Sequence, residues 1–177
     1  MRKSNKKGFT LVELVVVIAI IGVLAAILIP TMMNYVKKSR MRTANSNAKL
    51  VFESINNMAS DKVADGDAVS KITAAGVAVS TYKGSKNVLE AAVWDALKDN
   101  GENGAGFVAL SYDPNKKDAA NWVQWQTNGT ATEQITGQWP NAPKSVEDAE
   151  KIAFGTPEGI TGATAATSTN TNTNTNS

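Results

Sequence analysis

Residues 8–29 read GFTLVELVVVIAIIGVLAAILI, an apolar run broken by a single carboxylate, Glu13, which stands five residues past Gly8. Four cations, Arg2, Lys3, Lys6 and Lys7, lie just before it. Residues 9–29 number 21, and as a helix they would span about 32 Å, against roughly 30 Å for a hydrocarbon core. The segment can therefore cross a bilayer. An ionised side chain inside such a span is costly, so Glu13 marks a functional position and needs a partner.

Two plainer readings compete for this segment. A secretory signal peptide has a shorter apolar region that ends in a small-x-small cleavage site, and Ala25-Ala26-Ile27-Leu28-Ile29-Pro30 offers a poor one. A permanent single-span anchor would have the same hydropathy. It would have no evident reason, however, to carry a carboxylate one helical turn inside its apolar stretch. Basic residues orient the span less than expected, because Lys37, Lys38, Arg40 and Arg42 follow within about 15 residues of its end.

The residues Gly8-Phe9-Thr10-Leu11-Val12-Glu13 resemble the processing site of type IV pilins and pseudopilins, with Gly22 and Pro30 standing where that family has them. The resemblance covers about the first 30 residues. It implies a leader in the cytoplasm, cut after Gly8 by a membrane-embedded prepilin peptidase that also N-methylates Phe9. It also implies pairing of the new Phe9 ammonium with Glu13 of a neighbouring subunit, where low dielectric strengthens the attraction. Pro30 lacks the N–H that would bond the Ala26 carbonyl, and Gly22 weakens the helix from the other side. In the family the stretch between such residues can lose helical structure on assembly; the alternative is that Pro30 marks the bilayer exit and Gly22 eases helix packing.

Composition narrows the chemistry. The chain of 177 residues has no cysteine and no histidine, which removes disulfides, thiolate metal sites and the usual general base. Beyond residue 8 the charge is 14 basic against 16 acidic residues, so charge gives no case for nucleic acid unless the fibre serves DNA uptake.

Downstream, Met41, Ala44, Ala48, Val51, Ile55 and Met58 recur at spacings of three and four, an apolar stripe that predicts one helix over 9–60, too short in heptads for a coiled coil. Residues 61–84 read as an irregular connection with short helical or strand pieces. A helix is predicted over 88–98, with Asn87 and Glu90 at capping-box spacing. Strands follow over 107–112 and 122–127, the latter pairing with 130–135 across Asn128-Gly129. Ser145 caps a last helix over 146–154, halted by Gly155. The expected fold is α+β, a long N-terminal helix, apolar in its first half and amphipathic in its second, on a small antiparallel sheet. Its segments are a basic leader (1–8), the long helix (9–60, with 9–29 as membrane or filament core), a head (61–158) and a disordered Thr/Asn/Ser tail (159–177). The tail reads either as a solubilising terminus or as a hydroxyl-rich, glycosylated strip.

In the head, Trp122 shares a strand face with Gln124 and Gln126 and is expected to be exposed, a candidate for sugar binding or subunit contact, whereas Trp125 faces the core with Val123. The acidic groups Asp61, Asp65, Asp67 and Asp95, Asp99, Glu102 supply oxygen ligands of the kind calcium takes in some pseudopilins. Neither group matches a defined calcium loop, so a solvated acidic surface is the default and no metal or cofactor is expected. Asn128-Gly129-Thr130 is a glycosylation sequon already explained by a turn. The chain is thus expected to be a non-enzymatic pilus subunit of the bacterial cytoplasmic membrane and then the cell surface. Its partners would be copies of itself, the prepilin peptidase and methyltransferase, and an inner-membrane assembly platform with its ATPase. The alternatives are a secretion or competence pseudopilin, and an anchored adhesin acting through Trp122.

Overall fold

The structure is a computed structural model that describes residues 8–100, 104, 106–116, 120–129 and 135–167. Two units are distinct, residues 1–37 and 38–177. In element order the chain forms α1 (Leu11–Ala64), β1 (Ile72–Ala78), a 3-10 turn (Val79–Tyr82), α2 (Val88–Leu97), β2 (Phe107–Tyr112), β3 (Trp122–Gln126), β4 (Gly137–Trp139) and α3 (Val146–Lys151). The α+β fold read from the sequence holds. Helix α1 begins at Leu11 rather than Phe9 and ends four residues past Ser60, and it continues through Gly22 and Pro30.

In the second unit, α1 buries Met41, Ala44, Asn47, Ala48, Val51, Ile55 and Ala59. This is the anticipated stripe with a polar residue inside it and with Met58 at its half-buried margin. Asn47 is tolerated because its Oδ1 accepts from Asn100 Nδ2 at 3.1 Å. Two more polar pegs fix the register of the helix: Ser54 Oγ donates to the Ala92 carbonyl at 2.9 Å, and Tyr112 donates its hydroxyl to Asn56 Oδ1 at 2.9 Å.

The sheet is an antiparallel meander in the order β1-β2-β3-β4. β1 lies in the stretch expected to be irregular, where its Ala-Ala-Gly composition hides the strand pattern. It pairs with β2 through a bulge between Ala74 and Val77, where Gly76 takes φ 73°. The inner rows, Leu110 with Val123 and Val108 with Trp125, join the buried stripe of α1 in one core with Leu89, Val93 and Leu97 of α2. α2 is capped as anticipated by Asn87, whose side chain accepts from Leu89 N at 2.9 Å. The box closes one step away, through Ser85: its Oγ donates to the Glu90 carboxylate and accepts from Asn87 N. Ser145 likewise caps α3, accepting from Asp148 N at 3.1 Å, but α3 ends at Lys151 rather than at 154.

The hairpin expectation is corrected. β3 pairs with Gly137–Trp139, in the register Val123 to Trp139, Gln124 to Gln138 and Trp125 to Gly137. Ile135 is outside any strand, and 130–134 lie outside the described residues. Local turn chemistry at Asn128-Gly129 does not decide the pairing; the two faces of β3 do. On the inner face, Gly137 lets β4 approach α1 closely. On the outer face, Gln124 Nε2 donates to Gln138 Oε1 at 3.0 Å.

The outer face is covered as well, by the chain from Ile152 onward. Gln124 receives the Gly155 N–H at 2.7 Å and donates to the Thr156 carbonyl at 2.9 Å. Gln138 receives the Glu158 N–H at 3.0 Å and donates to the Glu158 carbonyl at 2.8 Å. Gln126 reaches the Ile152 carbonyl through the Thr136 hydroxyl. Further along, Ala166 N donates to the Gly155 carbonyl at 2.9 Å, so residues 159–167 begin as a docked strap, while 168–177 lie outside the described residues. Replacing Gln138 by Leu takes one acceptor from the buried Gln124 amide and the partner from the Glu158 N–H, while the Glu158 carbonyl keeps Asn141 Nδ2 at 3.0 Å; this should cost on the order of 2 kcal/mol and lower Tm by about 6 °C. Thermal unfolding of the detergent-solubilised chain, followed by tryptophan fluorescence, measures this.

Candidate functional site

The N-terminal unit presents the site residues in sequence order. Gly8 and Phe9 precede the helix, and Phe9 is 82% exposed. A Cβ at Gly8 or Gly22 would meet nothing within 4 Å. Among the described residues, α1 is the one helix long and apolar enough to cross a membrane, and the apolar window that qualifies it has no residue buried within the chain.

Glu13 has a partner inside its own chain. Its Oε2 accepts from Thr10 N at 2.9 Å and from Thr10 Oγ1 at 2.7 Å, and Glu13 N donates back to Thr10 Oγ1 at 3.3 Å. Thr10 is the N-cap of α1 and Glu13 its third residue, so the pair is a reciprocal capping box at the positive end of the helix dipole. The Thr-x-x-Glu spacing at residues 10–13 is a helix-start signal legible in the sequence. A simple anchor thus does have a use for this carboxylate, and the motif around it must decide between readings. The box satisfies one carboxylate oxygen, and no bond is recorded for Oε1 among the described residues. Glu13 can accept a further donor without releasing Thr10.

In the head, the expected exposure of Trp122 is corrected. It is fully buried, like the core-facing Trp125 beside it, and its Nε1 donates to the Thr164 carbonyl at 3.2 Å. Strand alternation placed it correctly on the face of Gln124 and Gln126; the strap that covers this face gave no periodic signal. Trp122 is therefore not a surface platform for a sugar.

Among the described residues no three carboxylates converge to hold a metal. Asp67 and Asp95 instead bind Lys62 at 3.1 Å and Lys98 at 2.9 Å, holding both ammonium groups above the ordinary lysine range, first by hydrogen bond and then by charge. Glu102 lies outside the described residues. An open cleft of about 240 Å³ beside α3 has a mixed lining, with Gln138, Lys144, Asp148 and Lys151 beside the apolar Pro143 and Ile152. Two of its charged groups are already engaged, Asp148 with Ser145 and Lys151 with Glu147.

Comparison with known proteins bears on the N-terminal unit. Residues 3–29 match the family described as the prokaryotic N-terminal methylation motif. The chain is 57% identical over 44 residues to the fimbrial protein EcpC of Eikenella corrodens, covering 25% of this chain and 29% of that protein. Against a type IV major fimbrial protein FimA of Dichelobacter nodosus it is 59% identical over 39 residues, 22% of this chain and 25% of the relative. Against the type IV major pilin protein PilA of Myxococcus xanthus (strain DK1622) it is 37% identical over 68 residues, 38% and 31% respectively. The chain thus spans about a quarter to a third of the length of these curated relatives. No solved structure matches it.

Residues 3–29 thus match a methylation motif that runs into the start of a capped apolar helix. The N-terminal segment is similar to those of type IV major pilin and fimbrial proteins.

Proposed function

We propose that this chain is the structural subunit of a type IV pilus. It is inserted as a prepilin by residues 9–29, cleaved between Gly8 and Phe9, N-methylated on Phe9 and assembled into a helical extracellular filament. The observation that carries the reading is the match to the methylation motif over residues 3–29, a stretch that contains Gly8 and, five residues on, Glu13. The pilus is favoured over the secretion or competence pseudopilus because the relatives include major pilins and major fimbrial proteins.

In the filament, the exposed apolar side chains of 11–29 exchange lipid for the same segments of neighbouring copies. Lipid and protein are about equally apolar to such side chains, so the exchange supplies little specificity. Glu13 supplies it by meeting the Phe9 ammonium of the next subunit. The prepilin peptidase and methyltransferase, the assembly platform and its ATPase are the partners this route requires. Glu13, Gly22 and Pro30 are its assembly residues, and 9–29 is the core of the fibre.

Intact mass of the protein recovered from cells tests the reading directly. The expected product lacks residues 1–8 and carries one added methyl group on Phe9. An uncut N-terminus, or a cut near Ala26, rejects it.

A further inference from the structure

Between Glu13 and Glu53 the chain has no acidic residue, yet it carries Lys37, Lys38, Arg40, Arg42 and Lys49. Lys38, Arg40 and Arg42 are exposed, and among the described residues none of the three has an ion-pair partner. Lysines further along α1 are treated differently: Lys49 meets Glu53 at 3.5 Å and Lys62 meets Asp67 at 3.1 Å. The three unpaired cations follow the apolar segment directly.

Their placement on α1 selects the partner. At about 100° per residue, Lys38 and Arg42 share one flank of the helix, and Arg40 falls on nearly the opposite flank. A balance of 14 basic against 16 acidic residues beyond residue 8 gives no broad electrostatic case for a nucleic-acid duplex as the partner of these two flanks. A layer of phosphates surrounding the helix meets both. Lys38, Arg40 and Arg42 stand 9, 11 and 13 residues past Ile29 in the chain, within the stretch of about 15 residues beyond a span where basic residues act on the membrane surface. Long Lys and Arg stems reach back toward the headgroup layer, and their charges attract it across a Debye length of about 8 Å.

We propose that Lys38, Arg40 and Arg42 form a collar that binds the phosphates of anionic phospholipid headgroups where the chain leaves the membrane. The proposal rests on the reading of 9–29 as a membrane span. The arginines suit this role because guanidinium forks bind phosphate oxygens in pairs. The collar also accounts for cations flanking the span on both sides: the second group anchors rather than orients. It holds the subunit at the bilayer surface, and its phosphate contacts must be released when the subunit is extracted into a fibre.

Because the chain has no cysteine, Ser39→Cys gives a single labelling site for a fluorophore at the centre of the collar. The labelled full-length chain is placed in nanodiscs of phosphatidylcholine alone, or with a third phosphatidylglycerol, and quenching by neutral acrylamide is measured. Resistance to alkaline extraction reports insertion separately. The collar predicts inserted chain in both discs, with the label shielded in the anionic disc and accessible in the neutral one. Each of Lys38→Ser, Arg40→Ser and Arg42→Ser should reduce the docked-to-undocked ratio about fivefold, with recovery in Lys38→Arg. Salt near 0.5 M should release the label. Equal quenching in both discs with the chain inserted overturns the collar while leaving the span intact. Alkaline extraction from both discs overturns the span and the collar with it. Shielding by added duplex DNA in detergent, without shielding in anionic discs, overturns the collar in favour of a nucleic-acid partner.

Discussion

Glu13→Val is expected to leave the chain inserted in the membrane and to reduce its incorporation into fibres about a hundredfold or more, the consequence of leaving a buried ammonium without its counter-charge. The capping box found at this residue makes a second variant decisive. Glu13→Gln keeps an acceptor at the third helical position, so the bonds from Thr10 can persist, but it carries no charge. Thr10→Val keeps the charge and removes the hydroxyl half of the box. If Glu13 serves assembly through its charge, Glu13→Gln fails as severely as Glu13→Val and Thr10→Val assembles near normally. If Glu13 serves only to start its own helix, the order reverses: Thr10→Val is impaired and Glu13→Gln is tolerated. Sedimented fibre, normalised to the membrane pool of each variant, separates the two. Normal fibres from Glu13→Gln would end the interchain pairing.

The cost of a charge in an apolar run points to a distant partner for Glu13, yet the Thr-x-x-Glu spacing supplies one three residues back. Elements whose signals are local were legible. The stripe of α1 follows its three-and-four spacing, α2 and α3 start at their capping residues Asn87 and Ser145, and β2 matches its expected bounds. Elements fixed by distant contacts were not. β1 is built largely from alanine and glycine and is a strand because Ile72 and Ala74 find Tyr112 and Leu110 across the ladder. Partner choice for β3 was set by a glycine against a helix on one face and an amide pair on the other. Strand alternation puts Trp122 on the face of Gln124 and Gln126, and Gln124 and Gln138 on that face hold backbone groups of the 155–158 segment. A glutamine on a strand reads the same in sequence whether it faces solvent or a strap.

Gly137→Ala is expected to be the most damaging single methyl that can be added to the head. A Cβ at Gly137 would fall on the carbonyl carbon and oxygen of Ala44 and on the amide nitrogen of Asn45, all backbone atoms of α1. No rotamer change relieves such a clash, so either the strand or the helix must move. Both are pinned. Gly137 is in register with Trp125, and Asn45 clamps the same strand, accepting from Gln138 N at 3.4 Å and donating to the Pro143 carbonyl at 3.0 Å. Ala44 and Ala48 are the small residues that make the close approach possible, and they are almost fully buried by it. Separating these layers opens the core around Val51 and Trp125 as well, so the loss should be on the order of 4 kcal/mol, toward the severe end for overpacking and a large share of a total near 5 to 15 kcal/mol. Gly84→Ala is the control. Gly84 has φ 75° and open space around a would-be Cβ, so its substitution incurs only the backbone penalty of about 1 kcal/mol. Urea unfolding of both variants in detergent, followed by tryptophan fluorescence, should therefore show a midpoint shift several times larger for Gly137→Ala. Equal shifts would mean that the strand and helix backbones do not meet at this point, and that the register of β3 with Gly137–Trp139 is held by the Gln124–Gln138 pair alone.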